Sequence, residues 1–162
     1  MEIRKPSIRN AEAKFNKSAG NKIEDARDAA ANAMSQEEFD NYERETDELM
    51  RKALNEEISD EDFKMRMEKL ENPPNAVNFA SIPEFSHFLK QTEVPDSEMH
   101  ILEEQNAILS RANMRGLSGR HQLVFFRGDE GRMQSRPRVV VAFPDAMPAK
   151  ERAKLYLKIR EG

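Results

Sequence analysis

The chain has 162 residues, of which 38% are hydrophobic and 35% are charged, with a net charge of −4 at pH 7 and no cysteine. This length suits one domain, or a small domain with helical arms, and the high charge content predicts a small core. The lack of cysteine excludes disulfides, thiolate zinc sites and a cysteine nucleophile. Since no apolar run approaches the roughly 20 residues that cross a bilayer, we expect no membrane partner.

Charged residues are sorted along the chain. Residues 1–23 carry a net charge of +4, residues 24–110 carry −15 and residues 111–162 carry +7. Two basic ends therefore flank an acidic middle, although the chain as a whole is acidic. A distribution of this kind bears on partners and solubility rather than on fold. It is the most informative global feature of the sequence.

The first segment, residues 1–20, is basic and polar with only scattered apolar positions, which predicts an extended arm. From residue 21 onward alanine becomes frequent. Ile23, Ala26, Ala30 and Ala33 share one helical face, and such a stripe of small residues lets another helix approach closely. This helix opens an acidic segment that we place at 21–71.

Two helix starts in the acidic segment have the same signature. Ser35 is followed three residues later by Glu38, and Ser59 is followed by Asp62. Each hydroxyl can accept a hydrogen bond from a free backbone amide, and each acid favours the positive end of a helix. The sequence therefore predicts an antiparallel helical hairpin at about 35–71.

The apolar residues of this hairpin recur at spacings of three and four on otherwise charged helices. Such thin seams must be covered by each other or by a partner. We therefore predict a protein-docking surface that consists of Phe39, Tyr42, Leu49, Phe63, Met67 and Leu70.

Residues 72–96 are predicted to be a linker with a short helix near 83–90, and residues 97–162 a basic α+β unit. In that unit we expect a helix at 97–112, strands at 122–126 and 138–143 around a turn at 128–131, and a last helix at 148–160. The predicted fold class is mainly α with a small α+β C-terminal unit, in which a helical hairpin accompanies a β-hairpin packed on helices.

Basic side chains cluster in and after the predicted β-hairpin. They can contact nucleic acid, an acidic partner protein or the acidic middle of this chain, or they can form a solvated face. Phe125 and Phe126 are adjacent, so one ring must leave the core unless both strand faces are covered, and an exposed ring can stack on a base. The predicted contact residues are Arg127, Arg132, Arg136, Arg138, Lys150 and Lys154.

No motif in the sequence carries a specific chemistry. The acidic segment 54–63 lacks the entry half of a calcium loop, so a capped helix accounts for it better. His87, His100 and His121 are not close to one another in sequence, although His100 lies near Glu103 and Glu104. We therefore expect no cofactor, no metal site and no catalytic residue.

These patterns favour a non-catalytic assembly or adaptor protein that docks within a macromolecular complex, such as a viral or phage particle. Its partner would be a protein, with a second copy of the chain as one candidate. One alternative is a nucleic-acid-binding regulator that acts through the basic C-terminal unit. A further alternative is a phosphodiester-cleaving enzyme that uses His100 or His121. The expected location is the cytoplasm, or a virion if the protein is viral.

Overall fold

A computed structural model describes residues 22–79, 81–91 and 96–162, so the predicted arm at 1–20 lies outside the described residues. Helices dominate, and the predicted fold class is confirmed. In chain order the elements are α1 (22–31), β1 (Met34–Ser35), α2 (Gln36–Leu54), α3 (Asp60–Glu71), β2 (Ala76–Phe79), α4 (Ile82–Gln91), α5 (Asp96–Met114), β3 (Ser118–Arg127), β4 (Met133–Ala142) and α6 (Ala149–Glu161).

One mixed sheet is built around β3. Along one edge, β3 pairs antiparallel with β4 over its whole length, from Ser118 opposite Ala142 to Arg127 opposite Met133. Its other edge is shared by β2, which pairs antiparallel with residues 121–124, and by β1, which runs parallel beside 126–127. Asn75 bonds to Phe125, the residue of β3 that lies between the parts paired with β2 and β1. Its backbone oxygen accepts from the Phe125 amide, and its side-chain amide donates to the Phe125 carbonyl.

Both faces of this sheet are covered by helices. On one face, Leu123 and Phe79 pack in a cluster with apolar side chains of α1, α4 and α5. On the other face, Phe126 stacks on Phe39 of α2 with ring centroids 4.2 Å apart. Phe126 is 1% exposed, and Phe125 packs at the edge of the first cluster. The sheet is therefore the middle layer of the fold.

The predicted helical hairpin consists of α2 and α3, which are joined by residues 55–59. Its apolar seam packs against α6, where Ala149 and Ala153 share one cluster with Leu49 and Phe63. Leu49 and Phe63 are only 4% and 2% exposed. The last helix of the chain thus covers the seam that the sequence leaves uncovered.

The first turns of α2, α3 and α6 are capped by side chains. The hydroxyls of Ser35 and Ser59 accept hydrogen bonds at 3.1 Å from the backbone amides of Glu38 and Asp62, so both predicted helix starts are confirmed. α6 has no such local cap. Instead, its first amide donates at 2.8 Å to a carboxylate oxygen of Asp60, which lies 89 residues earlier in the chain.

Strands β1 and β2 were not predicted. β1 lies within the segment 21–71 that was expected to be helical, and β2 lies within residues 72–96, which were expected to be a linker with one helix. Both strands are very short, with two and four residues. A sequence pattern of period two needs more residues than this to be visible. Because β1 and β2 pair with β3, the sheet crosses the predicted boundaries between 71 and 72 and between 96 and 97.

Candidate functional site

A cleft lies along the edge of β4 that does not pair with β3. It consists of two adjoining cavities of about 620 and 230 Å³. Tyr42 and Glu43 of α2, Glu104 and Gln105 of α5, and Arg138 of β4 line both cavities. The larger cavity also extends to α3 and α6. We call the two cavities together the β4 cleft.

The walls of the larger cavity are mainly apolar, and several of the side chains that form them are only partly buried. Its volume falls within the range of about 300 to 1,000 Å³ that is usual for ligand sites. A solvent-accessible apolar cleft of this size can hold an anchoring side chain or a small ligand. The apolar lining includes Met67, Leu70, Ile108, Val139, Val141 and Phe143.

The edge of β4 beside the cleft is closed to strand addition. Pro137, in the middle of the strand, has no backbone N–H to donate. The N–H of Val139 already donates at 2.8 Å to Oε1 of Gln105 on α5. A partner in the cleft would therefore be recognised by side chains rather than by pairing with β4.

A buried polar network behind the cleft ties α3 to the sheet. Gln122 is fully buried, and its Nε2 donates at 2.8 Å to both the backbone oxygen of Glu71 and Oδ1 of Asn78. Arg138 donates from Nε to Oε1 of Gln122 and from Nη2 to the backbone oxygen of Leu70, the latter at 2.7 Å. These bonds satisfy the last carbonyls of α3 and fix its end against the sheet.

Two arginines of β4 lie over aromatic rings on the cleft side of the sheet. The guanidinium carbon of Arg138 is 5.0 Å from the ring centroid of Tyr42. That of Arg136 is 5.3 Å from the ring of Phe39 and 5.6 Å from that of Phe126. Cations at these distances are attracted by the ring faces. Both arginines therefore join β4 to α2.

The hydroxyl of Tyr42 is a buried polar group whose nearest charged neighbour is Arg138. The side chain is 8% exposed, and among the described residues its Oη has no hydrogen bond of good geometry, although the Arg138 guanidinium lies beside it. Burial raises the pKa of Tyr42, and the charge of Arg138 opposes this shift only in part. The phenol therefore stays neutral at physiological pH and can both donate and accept a hydrogen bond.

Two carboxylates of the cleft have no cation as an ion-pair partner among the described residues. Glu71, at the end of α3, is half-buried, and burial raises the pKa of its carboxyl although Arg120 and Arg138 oppose the shift. Glu104 is exposed on α5. Glu71 was not singled out from the sequence, and Glu104 was noted only as a neighbour of His100, because the place of each beside the cleft depends on how distant helices pack.

The residues predicted to dock a partner are mostly part of the chain's own core. Phe39, Leu49 and Phe63 are each at most 4% exposed, and their neighbours are β3, α3 and α6. Their burial within the chain removes the reason for assigning them to a partner. Tyr42 and two residues of α3, Met67 and Leu70, do line the β4 cleft. With Phe39, which lines the smaller cavity, the structure brings four of the six predicted residues to the β4 cleft.

The predicted basic residues do not form one surface. Arg127 and Arg132 lie at the tip of the β-hairpin, Arg136 and Arg138 line the β4 cleft, and Lys150 lies on α6. Lys154 is exposed on the same helix as Lys150. Phe126 is buried and Phe125 is partly buried against the opposite helical layer, so the two adjacent rings do not form an exposed surface for stacking on bases.

Several basic side chains of the C-terminal part pair with the acidic helical hairpin. Arg136 lies 3.8 Å from Glu43, Lys150 lies 3.4 Å from Glu56, and Arg160 lies 3.2 Å from Asp47. These pairs are partly exposed, so each adds little stability by itself. They nevertheless show that part of the charge separation along the sequence is neutralised within the fold.

His121 and His100 lie in different surroundings. His121 is 3% exposed and stacks on Phe85 with ring centroids 4.5 Å apart, and burial lowers the pKa of its imidazole. His100 is exposed on α5, near Glu103 and Glu104 in sequence. Within residues 22–79, 81–91 and 96–162, no three His, Cys, Asp or Glu side chains are grouped so that they could bind a metal ion.

Comparison with known protein families, with curated proteins and with solved structures finds no match to this chain. In the part of the chain that the structure describes, every helix is too short or too polar to span a membrane. The candidate site is therefore defined by its own geometry, as a cleft whose surface is more apolar than polar and whose lining includes both acidic and basic side chains.

Proposed function

We propose that this chain is a non-catalytic adaptor or assembly protein that docks onto a protein partner through the β4 cleft. The observation that carries this proposal is the cleft itself, a cavity of about 620 Å³ with mainly apolar walls. Clefts of this size with convergent polar groups are usual ligand sites in proteins. Tyr42 and Gln105, which line both cavities, are such polar residues.

A selection of peptides on the full-length chain tests the proposal. Random peptides displayed on phage are enriched on the immobilised protein and then tested on two variants. Ala107→Trp fills the larger cavity, which Ala107 lines, whereas Asn106→Trp adds the same ring to an exposed neighbour on α5. Enriched peptides should bind the wild type and Asn106→Trp but not Ala107→Trp. If no peptide is enriched, or if Ala107→Trp binds equally well, the docking proposal fails.

Nucleic-acid binding has less support in the fold. The exposed arginines of the hairpin tip, Arg127 and Arg132, favour it, whereas Arg136 and Lys150 pair with the acidic hairpin. Binding through phosphate contacts must weaken with salt, with a slope of about −0.9 per contact on duplex DNA. A double variant, Arg127→Gln with Arg132→Gln, should flatten that slope if this alternative holds. Cleavage of phosphodiesters has no support from the placement of His100 or His121.

A further inference from the structure

The outer edge of β2 presents backbone groups that do not bond to β3. The Phe125 amide donates to the carbonyl of Asn75, the residue before β2, so these two residues form a bonded pair. In an antiparallel ladder, bonded pairs alternate with unbonded ones. Within β2, Val77 and Phe79 therefore bond to β3, whereas the N–H and the carbonyl of Asn78 face away from it.

These outward groups bond to none of the residues that the structure describes. The N–H of Asn78 has no acceptor there, and the carbonyls of Asn78 and Ala76 have no donor. The N–H of Ala76 is already used, since it donates at 3.3 Å to the carbonyl of Pro73. Both Ala76 and Asn78 are half-buried rather than buried. An edge with one free donor and two free acceptors can add another strand.

The described part of the chain begins beside this edge. α1 starts at Lys22, whose Nζ lies 5.9 Å from the ring centroid of Phe79, the last residue of β2. At roughly 3.3 Å per residue, β2 is only about 13 Å long. Residues 13–21 span about 30 Å when they are extended. They can therefore run along the whole of β2 and still join α1. Because the chain arrives at Lys22 beside the end of β2, a strand that leads straight into α1 runs parallel to β2.

The charge and the small size of this edge favour the chain's own arm as its occupant. β2 belongs to residues 24–110, which carry a net charge of −15, whereas residues 1–23 carry +4. Three backbone groups make few hydrogen bonds, and these offset poorly the freedom that a separate chain loses on binding. A segment joined to α1 is already present at an effective concentration of about millimolar. The arm thus needs fewer bonds than a strand from another molecule.

We infer that the outer edge of β2 is a strand-binding site, and that residues 13–19 of the same molecule add to it as a parallel strand. The N–H and the carbonyl of Asn78 then bond to two arm residues, one on each side of the residue opposite Asn78. The added strand ties the arm to the sheet and closes the edge of β2 to strands of other molecules. This contact is separate from the β4 cleft, since β3 lies between β2 and β4.

Amide hydrogen exchange of the ¹⁵N-labelled full-length chain tests this inference at a single residue. The Asn78 amide faces away from β3, so a strand added to the outer edge should slow its exchange. The amides of Val77 and Phe79 bond to β3 with or without the arm and serve as internal references. In the wild type all three amides should exchange slowly, and nuclear Overhauser contacts should join Asn78 to residues 13–19.

A matched pair of double variants assigns the protection of Asn78 to the arm. Phe15→Pro with Asn16→Pro removes two consecutive N–H groups, so one of them must come from the side that faces β2. This change should speed exchange of the Asn78 amide at least about tenfold and leave the two reference amides unchanged. Asn10→Pro with Ala11→Pro makes the same change outside residues 13–19, also without altering charge, and should leave Asn78 as slow as in the wild type.

Three outcomes would overturn the inference. Fast exchange of Asn78 in the wild type would mean that no strand is added to β2. Slow exchange that survives Phe15→Pro with Asn16→Pro would mean that the arm is not the occupant. In a mixture of ¹⁵N-labelled and ¹³C-labelled chains, contacts between Asn78 and the arm of a differently labelled molecule would show that a second copy supplies the strand. Contacts confined to one molecule, lost in the first double variant and kept in the second, are the expected result.

Discussion

The guanidinium of Arg138 lies 5.0 Å from the ring centroid of Tyr42 and so joins β4 to α2 beside the cleft. The same arginine bonds to Gln122 within the sheet and to the Leu70 carbonyl at the end of α3. A residue that belongs to the basic C-terminal part thus fixes two helices of the acidic part. The two parts are held together by this contact as well as by the ion pairs around it.

Replacing Arg138 should therefore destabilise the whole fold. Arg138→Met keeps the aliphatic stem but removes the hydrogen bonds, leaving Gln122 and a helix-end carbonyl without their donor. We expect a loss of about 2 to 4 kcal/mol in the free energy of unfolding, measured by urea denaturation. Arg132→Met, at an exposed position of the hairpin tip, is the control and should stay within about 0.5 kcal/mol of the wild type. Equal effects of the two changes would contradict this role.

Glu71→Gln should stabilise the protein at pH 7. Because the folded-state pKa of Glu71 is raised above its ordinary value of 4.5, the charged carboxylate disfavours folding at higher pH. This penalty disappears as pH falls through the folded-state pKa, and both states are protonated below the ordinary value. The gain from Glu71→Gln should therefore be present at pH 7 and absent near pH 4 in urea denaturation. An equal gain at both pH values would rule out this explanation. Glu103→Gln, exposed on α5, is the control and should not show this dependence of the gain on pH.

His121 should make the stability depend on pH in the opposite sense. Its folded-state pKa is lowered by burial, so the unfolded chain takes up a proton first as pH falls below about 6.5. Stability should therefore decline between that pH and the lower pKa of the folded state, by at most about 1.4 kcal/mol per pH unit. His121→Phe, beside Phe85, should show a smaller decline between pH 7.5 and 5.5. Identical declines in the wild type and in His121→Phe would show that protonation of His121 does not cause the loss of stability at low pH.

The C-terminal part should not fold by itself. In a fragment of residues 96–162, Val124 and Phe126 lose the cover of Phe39, and β3 loses its pairing with β1 and β2. We expect such a fragment to show neither dispersed amide resonances nor a cooperative thermal transition, whereas residues 22–162 should show both. A cooperative melt of the short fragment would mean that its hairpin and helices suffice as a separate unit.

The features that were predictable from the sequence are the ones with local causes. Ser35 and Ser59 mark helix starts because each hydroxyl caps an amide three residues away. The cleft has no local cause, since Gln105 reaches Val139 across 34 positions and the backbone oxygen of Glu71 is bonded by Gln122, which lies 51 positions later. Likewise, the thin seam around Leu49 indicates a missing cover, but only the fold identifies α6 as that cover.

Hydrogen–deuterium exchange of the full-length chain with a selected peptide tests the central claim most directly, since it locates the bound partner without any variant. Binding in the β4 cleft should slow exchange in residues 101–111 of α5, in the facing part of α2 and around Val141. Exchange at the hairpin tip, including Arg127 and Arg132, should not change. Protection confined to that tip or to the exposed face of α6, with no change in α5, would contradict the account.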